Sequence, residues 1–209
     1  MKRLWIIGSG GHARVVVDTA TAFGNIEIAG VLDDNPERIG RHVSGIEIVG
    51  PISRESVERF EIEHAVIAIG SNRVRATIAE RLVGAVSWTT LVHPRAYVAG
   101  HTHIGDGTVL FAGAILQPGS TLGDHVILNT HSSVDHDSNV ADFSHIGPGA
   151  HLAGNVVLGE GTFVGLGGGV IPGCTIGEWA TIGAGSVVIN NIEKGQTVVG
   201  VPARVRGKG

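Results

Sequence analysis

A six-residue period runs through the second half of the chain without slipping. From Val92, every sixth residue is aliphatic: Val98, Ile104, Leu110, Leu116, Leu122, Leu128, Val134, Val140, Ile146, Leu152, Leu158, Val164, Val170, Ile176, Ile182 and Val188. Four residues after each of these, small side chains prevail, among them Ala96, Thr108, Ala114, Ser120, Ser132, Ser138, Ala150, Cys174 and Ser186. Every proline of the repeat (Pro94, Pro118, Pro148, Pro172) falls two residues after an aliphatic position. Proline lacks an N–H and has a fixed φ, so that position is a corner outside any hydrogen-bonded ladder. A helix repeats every 3.6 residues and a strand every 2, and neither holds a period of six.

Six residues per flat face and three faces per turn give a triangular coil of 18 residues. Successive coils stack at about 4.8 Å, the spacing of neighbouring strands. The aliphatic residue points inward, the small one fits the tight corner, and glycines take the turns with φ > 0. The expected architecture is an all-β left-handed parallel β-helix of hexapeptide repeats, against the usual right-handed crossover preference. Composition agrees with a thin core repeated many times. Glycine is 33 of 209 residues, aromatics are 4 % and charged residues 16 %, the last against a usual level of about 25 %.

Composition also narrows the function classes. A net charge of −4 argues against a nucleic-acid surface. No apolar run approaches the roughly 18–20 residues of a membrane span. The apolar start at 4–7 is broken by Gly8-Ser9-Gly10-Gly11-His12, unlike a signal peptide. One cysteine, Cys174, forms no internal disulfide. The expectation is a cytoplasmic protein without a nucleic-acid or membrane partner.

Residues 1–88 read as a separate Rossmann-like α/β domain, with the β-helix and its C-terminal cap at 89–209. Apolar strands at 4–8, 26–32 and 65–69 alternate with helical patterns at 11–23, 54–60 and 74–82, which gives a small parallel sheet. Ligands of such sheets bind at the strand C-termini, here 8–12, Asp33-Asp34 and 70–72. The stretch Gly8-Ser9-Gly10-Gly11-His12-Ala13 partly satisfies G-x-G-x-x-G/A, and Asp33 stands where a ribose-binding acid would sit. Glycines at a strand-to-helix turn can equally serve the turn alone.

Eight of the eleven histidines lie in or beside the repeat. Most suit exposed β-helix faces, but His136 sits at a corner between Asp135 and Asp137. A neighbouring carboxylate fixes an imidazole's tautomer and raises its basicity, which suits a general base. One coil later the same corner holds Gly154, whose bare N–H can approach a developing oxyanion. A base with a donor about 5 Å away is an arrangement for acyl transfer. Cys174, at an inward position, is unsuited to be a nucleophile.

The whole chain resembles the hexapeptide-repeat acetyltransferases that act on nucleotide-linked 4-amino sugars, with related enzymes acting on sialic acid. The resemblance rests on Ile7-Gly8-Ser9-Gly10-Gly11-His12-Ala13, Val31-Leu32-Asp33-Asp34, Ile69-Gly70-Ser71-Asn72 and Ile127-Leu128-Asn129-Thr130. It continues through Asp135-His136-Asp137, Asp142-Phe143-Ser144-His145-Ile146, Ala153-Gly154-Asn155 and Gly200-Val201-Pro202-Ala203-Arg204. It implies direct transfer from acetyl-CoA, without a metal, in a homotrimer with sites between neighbouring β-helices. By resemblance His136 is the general base and Asp137 its carboxylate. Relatives often carry glutamate there, which leaves the orienting role open between Asp137 and Asp135. His145 matches a histidine near the CoA thioester, and Leu166 and Ala184 match CoA-contacting corners. Asn129 matches a residue near the sugar. Gly10, Gly11, His12, Asp33, Asp34 and Gly70 match the nucleotide-sugar pocket.

Three other readings compete. Trimeric β-helices also serve as zinc carbonic anhydrases, and His131 and His136 show a step like two of their ligands, but Arg95 stands where the third would be. A non-enzymatic scaffold would give the nucleotide-like pocket no purpose. A hydroxyl acceptor, as in sialic acid O-acetyltransferases, is the alternative to the amine. Residues 193–209 are expected to cover the open end of the β-helix.

Overall fold

The computed structural model describes residues 2–206. The chain divides into two compact units, Met1–Pro94 and Arg95–Gly209, where the sequence reading draws the line at 88/89.

The first unit is built on β1 (Lys2–Ile7), α1 (Gly11–Phe23), β2 (Ile26–Leu32), β3 (His42–Val43), β4 (Ile46–Gly50), α2 (Arg54–Arg59), β5 (His64–Ile67), α3 (Asn72–Arg81) and β6 (Ser87–Trp88). The sheet runs β3-β4-β2-β1-β5-β6, all parallel except the β3–β4 hairpin. Leu4, Trp5, Ile6 and Ile7 are all buried, as a central parallel strand demands. A side chain on Gly30 would run into the Trp5 ring, which lies against its backbone. The hairpin escapes the apolar pattern because it is short and half exposed. Its turn is marked by Ser44-Gly45, both with positive φ (48° and 83°), the requirement of a type I′ turn. Since β2 and β5 flank β1, the end of β1 is a switch point, and the loop that follows it opens at the ligand edge.

The second unit is the β-helix. Two-residue strands pair in parallel with those 18 positions further on. Val109–Leu110, Ile127–Leu128, His145–Ile146, Phe163–Val164 and Thr181–Ile182 form one face. Ile115–Leu116, Ser133–Val134, His151–Leu152, Gly169–Val170 and Val187–Val188 run along a second, and a third runs from His103–Ile104 to Thr175–Ile176. The repeat's aliphatic residues are buried from Leu110 to Val188.

The small hydroxyl residues do more than fit a corner. The Ser138 hydroxyl donates to Ala153 O (3.0 Å) and accepts from Val156 N (3.0 Å), both in the next coil. Thr108 and Ser120 bridge coils in the same way. Three residues after each aliphatic position from Val98 to Ile182 the backbone is left-handed. Glycine fills only part of these sites, because His101, His125, His131, Asp137, Phe143, Asn155 and Trp179 adopt φ of 54–60° there. The C-terminal segment runs along the last strand of all three faces: Ile192 bridges Ile176, and Val187 donates its N–H to Gly200 O and accepts from Ala203 N. Thr197–Val199 adds in parallel to Thr181–Ile182, and Arg204–Val205 returns antiparallel along it. Residues 207–209, part of the expected cap, lie outside the described residues.

Candidate active site

At one corner of the β-helix His136 Nδ1 stands 2.9 Å from Asp137 Oδ2. A carboxylate only accepts hydrogen bonds, so in the neutral ring Nδ1 carries the proton and the lone pair is on Nε2. Asp137 reaches its neighbour because its backbone is left-handed (φ 58°), a conformation aspartate tolerates better than most residues. Of the two neighbouring carboxylates, Asp137 is the one whose hydrogen bond to the ring is seen.

Glycines flank this pair on the coils before and after. A Cβ on Gly154 would stand 2.5 Å from Cε1 and 2.6 Å from Nε2 of His136, so the imidazole lies directly on the Gly154 backbone. A Cβ on Gly119 would stand 2.5 Å from Asp137 Oδ1. Gly119 did not emerge from the sequence reading. Its signal was the register itself, since 119 and 137 differ by one coil. The N–H groups of Asp135, Asp137 and Asn155 donate to the ladder. Among the described residues the Gly154 N–H has no hydrogen-bond partner, as expected of a corner that tolerates proline at Pro118 and Pro172. Beside it lies an open cavity of about 350 Å³ lined by Asp135, His151, Ala153, Gly169 and Ile171.

On the neighbouring face Asn129 and His145 come together, Nδ2 to Nε2 at 2.9 Å. The Asn129 Oδ1 accepts from Thr130 N (2.8 Å), which fixes the amide with its NH₂ toward the ring. His145 Nε2 is therefore the acceptor, and the proton sits on Nδ1. The ring meets Phe163 edge-on at 5.2 Å and is buried. Leu166 and Ala184 stand one coil apart on the corner column that also carries Pro148. Gly167 and Gly185 donate to the column, whereas the N–H groups of Leu166 and Ala184 are outside it. Leu166 is 62 % exposed, unusual for leucine. His131 lies on this column's corner too, its ring over Gly113, a different corner from His136.

In the first unit two of the three ligand-edge loops are tied together. The Asp33 carboxylate accepts from Ser9 N (2.8 Å), Ser9 Oγ (2.6 Å) and Asn35 N (2.9 Å), with Arg38 at 3.3 Å. Burial raises its pKa, but these hydrogen bonds and Arg38 outweigh that and hold it below the usual carboxylate range. Asp34 accepts from Ile52 N (3.0 Å) and pairs with Arg81 (2.8 Å). Both acids, matched by resemblance to the nucleotide-sugar pocket, hold loops of this edge in place. Gly10, Gly11 and Gly70 have no positive φ, and a Cβ on any of them would meet nothing within 4 Å. Neither conformation nor packing calls for glycine there. His12 opens α1, and burial, aided by the charge of Arg75, lowers its pKa to about 4. Cys174 is buried and its thiol pKa raised by that burial.

Known proteins share this build. Residues 3–82 match the PglD N-terminal domain family. A perosamine N-acetyltransferase from Caulobacter crescentus, solved with CoA and GDP-perosamine, superposes with a TM-score of 0.93 at 34 % identity, covering 100 % of this chain and 98 % of its own. That structure carries one histidine replaced by asparagine, and the enzyme was solved as well with the histidine replaced by alanine and without a substitution. The acetyltransferase domain of PglB from Neisseria gonorrhoeae, solved with acetyl coenzyme A, gives 0.91 at 38 % identity, covering 98 % and 99 %. UDP-N-acetylbacillosamine N-acetyltransferase from Bacillus subtilis is 40 % identical over 116 residues, 54 % of this chain. That match spans about half (52 %) of the Bacillus protein's length. Fold and site together define a hexapeptide-repeat β-helix protein with a Rossmann-like α/β unit. More narrowly, the chain belongs to the nucleotide-amino-sugar N-acetyltransferase family, as the resemblance implied.

Proposed function

We propose that the protein transfers the acetyl group of acetyl-CoA to the amine of a nucleotide-linked 4-amino-4,6-dideoxy sugar, with His136 as general base. The carrying observation is the His136–Asp137 pair seated on Gly154, in a chain of this family. The acceptor nitrogen attacks the thioester carbonyl and forms a C–N bond. His136 Nε2 takes the amine proton, and Asp137 stabilises the imidazolium that results. The Gly154 N–H donates to the tetrahedral oxyanion. As the C–S bond breaks, the thiolate leaves and regains a proton from His136. A thioester is already activated, so proximity, proton removal and oxyanion stabilisation suffice.

In this reading His145, Leu166 and Ala184 line the donor, with Asn129 fixing the His145 ring. Gly10, Gly11, His12, Gly70 and the loops stapled by Asp33 and Asp34 hold the nucleotide. The protein works as a cytoplasmic homotrimer. Support for self-association comes from Tyr97, Ile115, Ile171 and Ile189, apolar yet exposed on the second face and its margin.

The test is thiol release from acetyl-CoA against UDP-, GDP- and dTDP-linked 4-amino sugars, with sialic acid as the hydroxyl control and His136→Ala beside the wild type. Turnover of one amino sugar, lost in the variant, supports the assignment. Turnover of sialic acid alone moves the acceptor to a hydroxyl. An undiminished variant removes His136 from the mechanism.

A further inference from the structure

Arg75, on α3, is 1 % exposed, although arginine is almost never so buried without specific partners. Its guanidinium donates to Ile69 O (3.0 Å), Gly70 O (3.3 Å) and Asn72 Oδ1 (3.0 Å). All three acceptors lie in the turn from β5 into α3, the turn that carries Gly70. That turn is not held by the usual local device, because Ser71, at the N-cap position, makes no side-chain capping bond. Arg75 reaches back from within the helix and closes the turn instead. Its charge also acts on His12, in the first turn of α1, and after desolvation it is the second cause holding that imidazole neutral. Desolvation draws its own pKa down to about 9, which leaves the guanidinium charged at neutral pH.

We propose that Arg75 is a positioning residue for the nucleotide of the acceptor: by clamping the 69–72 turn, it sets the bare Gly70 backbone against the glycine loop at Gly10 and Gly11. This rests on the nucleotide-sugar reading above. A neutral residue of similar bulk would fill the same space but could not hold two carbonyls and an amide at once. Lysine would keep the charge, yet a single ammonium cannot reproduce the planar fork that serves three acceptors. The site is therefore tuned to guanidinium geometry, and its loss should fall on one substrate only.

The experiment compares wild type with Arg75→Lys and Arg75→Gln, each checked for folding by thermal melting. Calorimetry measures binding of UDP, GDP and dTDP, and kinetics give separate KM values for nucleotide sugar and acetyl-CoA. Both variants should weaken nucleoside diphosphate binding about tenfold or more, roughly the loss of one well-placed charged hydrogen bond. The nucleotide-sugar KM should rise in step, while the acetyl-CoA KM and kcat stay within about twofold. If Arg75→Gln does not fold, Arg75→Lys carries the test. Unchanged binding in a folded variant, or equal rises in both KM values, overturns the role of Arg75 and leaves the nucleotide reading standing. Failure of the wild type to bind any of the three diphosphates overturns the nucleotide reading, and this proposal with it.

Discussion

Replacing Gly154 by alanine tests whether the placement of the His136 ring matters to the reaction. The Gly154 backbone is not left-handed, so alanine adopts it without strain, and the N–H proposed for the oxyanion is retained. The new methyl is the only intrusion. It would stand 2.5 Å from Cε1 and 2.6 Å from Nε2, against carbon contact distances of about 3.5–4.0 Å. The ring must therefore retreat by roughly 1 Å. The His136 side chain is 57 % exposed, so it can swing toward solvent at little cost to the fold. A displacement of that size at the reacting group costs on the order of 10²-fold in rate, or about 2.7 kcal/mol of barrier.

Stability should move the other way. A strain-free glycine-to-alanine change stabilises by about 0.4–1 kcal/mol through the unfolded chain. The assay is kcat/KM from thiol release together with a thermal melt, on Gly154→Ala, His136→Ala and the double variant. The single variants should each lose activity, and the double variant should be no worse than His136→Ala alone, since the ring on which the methyl acts is gone. A Gly154→Ala enzyme that turns over at the wild-type rate would refute the reasoning. So would a further loss in the double variant, which would place the effect on the backbone instead of the ring.

Three other outcomes follow from the geometry. Asp137→Asn, which removes the charged acceptor for Nδ1, should lower kcat about tenfold or more in the same assay, and Asp135→Asn should lower it less. His12 is held near pKa 4 in the folded chain against 6.5 when unfolded, so the folded state binds fewer protons; stability is fully present above pH 6.5 and declines as pH falls toward 4. The decline should reach about 3 kcal/mol, and a pH series of denaturant melts should show it flattened in His12→Gln. Cys174, 5 % exposed with a raised thiol pKa, should resist a thiol reagent in the native protein and react promptly in denaturant, and Cys174→Ala should retain turnover.

The second unit was legible because its physics is periodic. A residue buried at one position is buried again six later, and a proline at a corner costs nothing there because that N–H is outside the ladder. The α/β unit was legible only in its long apolar strands and helices. The β3–β4 hairpin was not, since two short, half-exposed strands carry little hydrophobic pattern. The sequence pattern assigns the left-handed positions to glycine, but coil stacking fixes that conformation strongly enough to hold Phe143 and Trp179 in it.

The same contrast decides how far each half of the site could be read. Within the regular coils a residue n lies beside n − 18 and n + 18, so once the coil length is known His136 implies Gly154 and Asp137 implies Gly119 without a structure. At the α/β edge no such arithmetic exists. Asp33 falls at the spacing of a ribose-binding acid, yet its oxygens are engaged by Ser9 and Asn35, and nothing in the spacing distinguishes the two uses. Arg75 acts across the sheet edge on the first turn of α1, some sixty residues earlier in the chain, and a single arginine on a short polar helix reads as a solvated charge. Residues whose partners are set by a repeat are predictable from sequence; residues whose partners are set by the meeting of separate loops become visible only when the loops are placed.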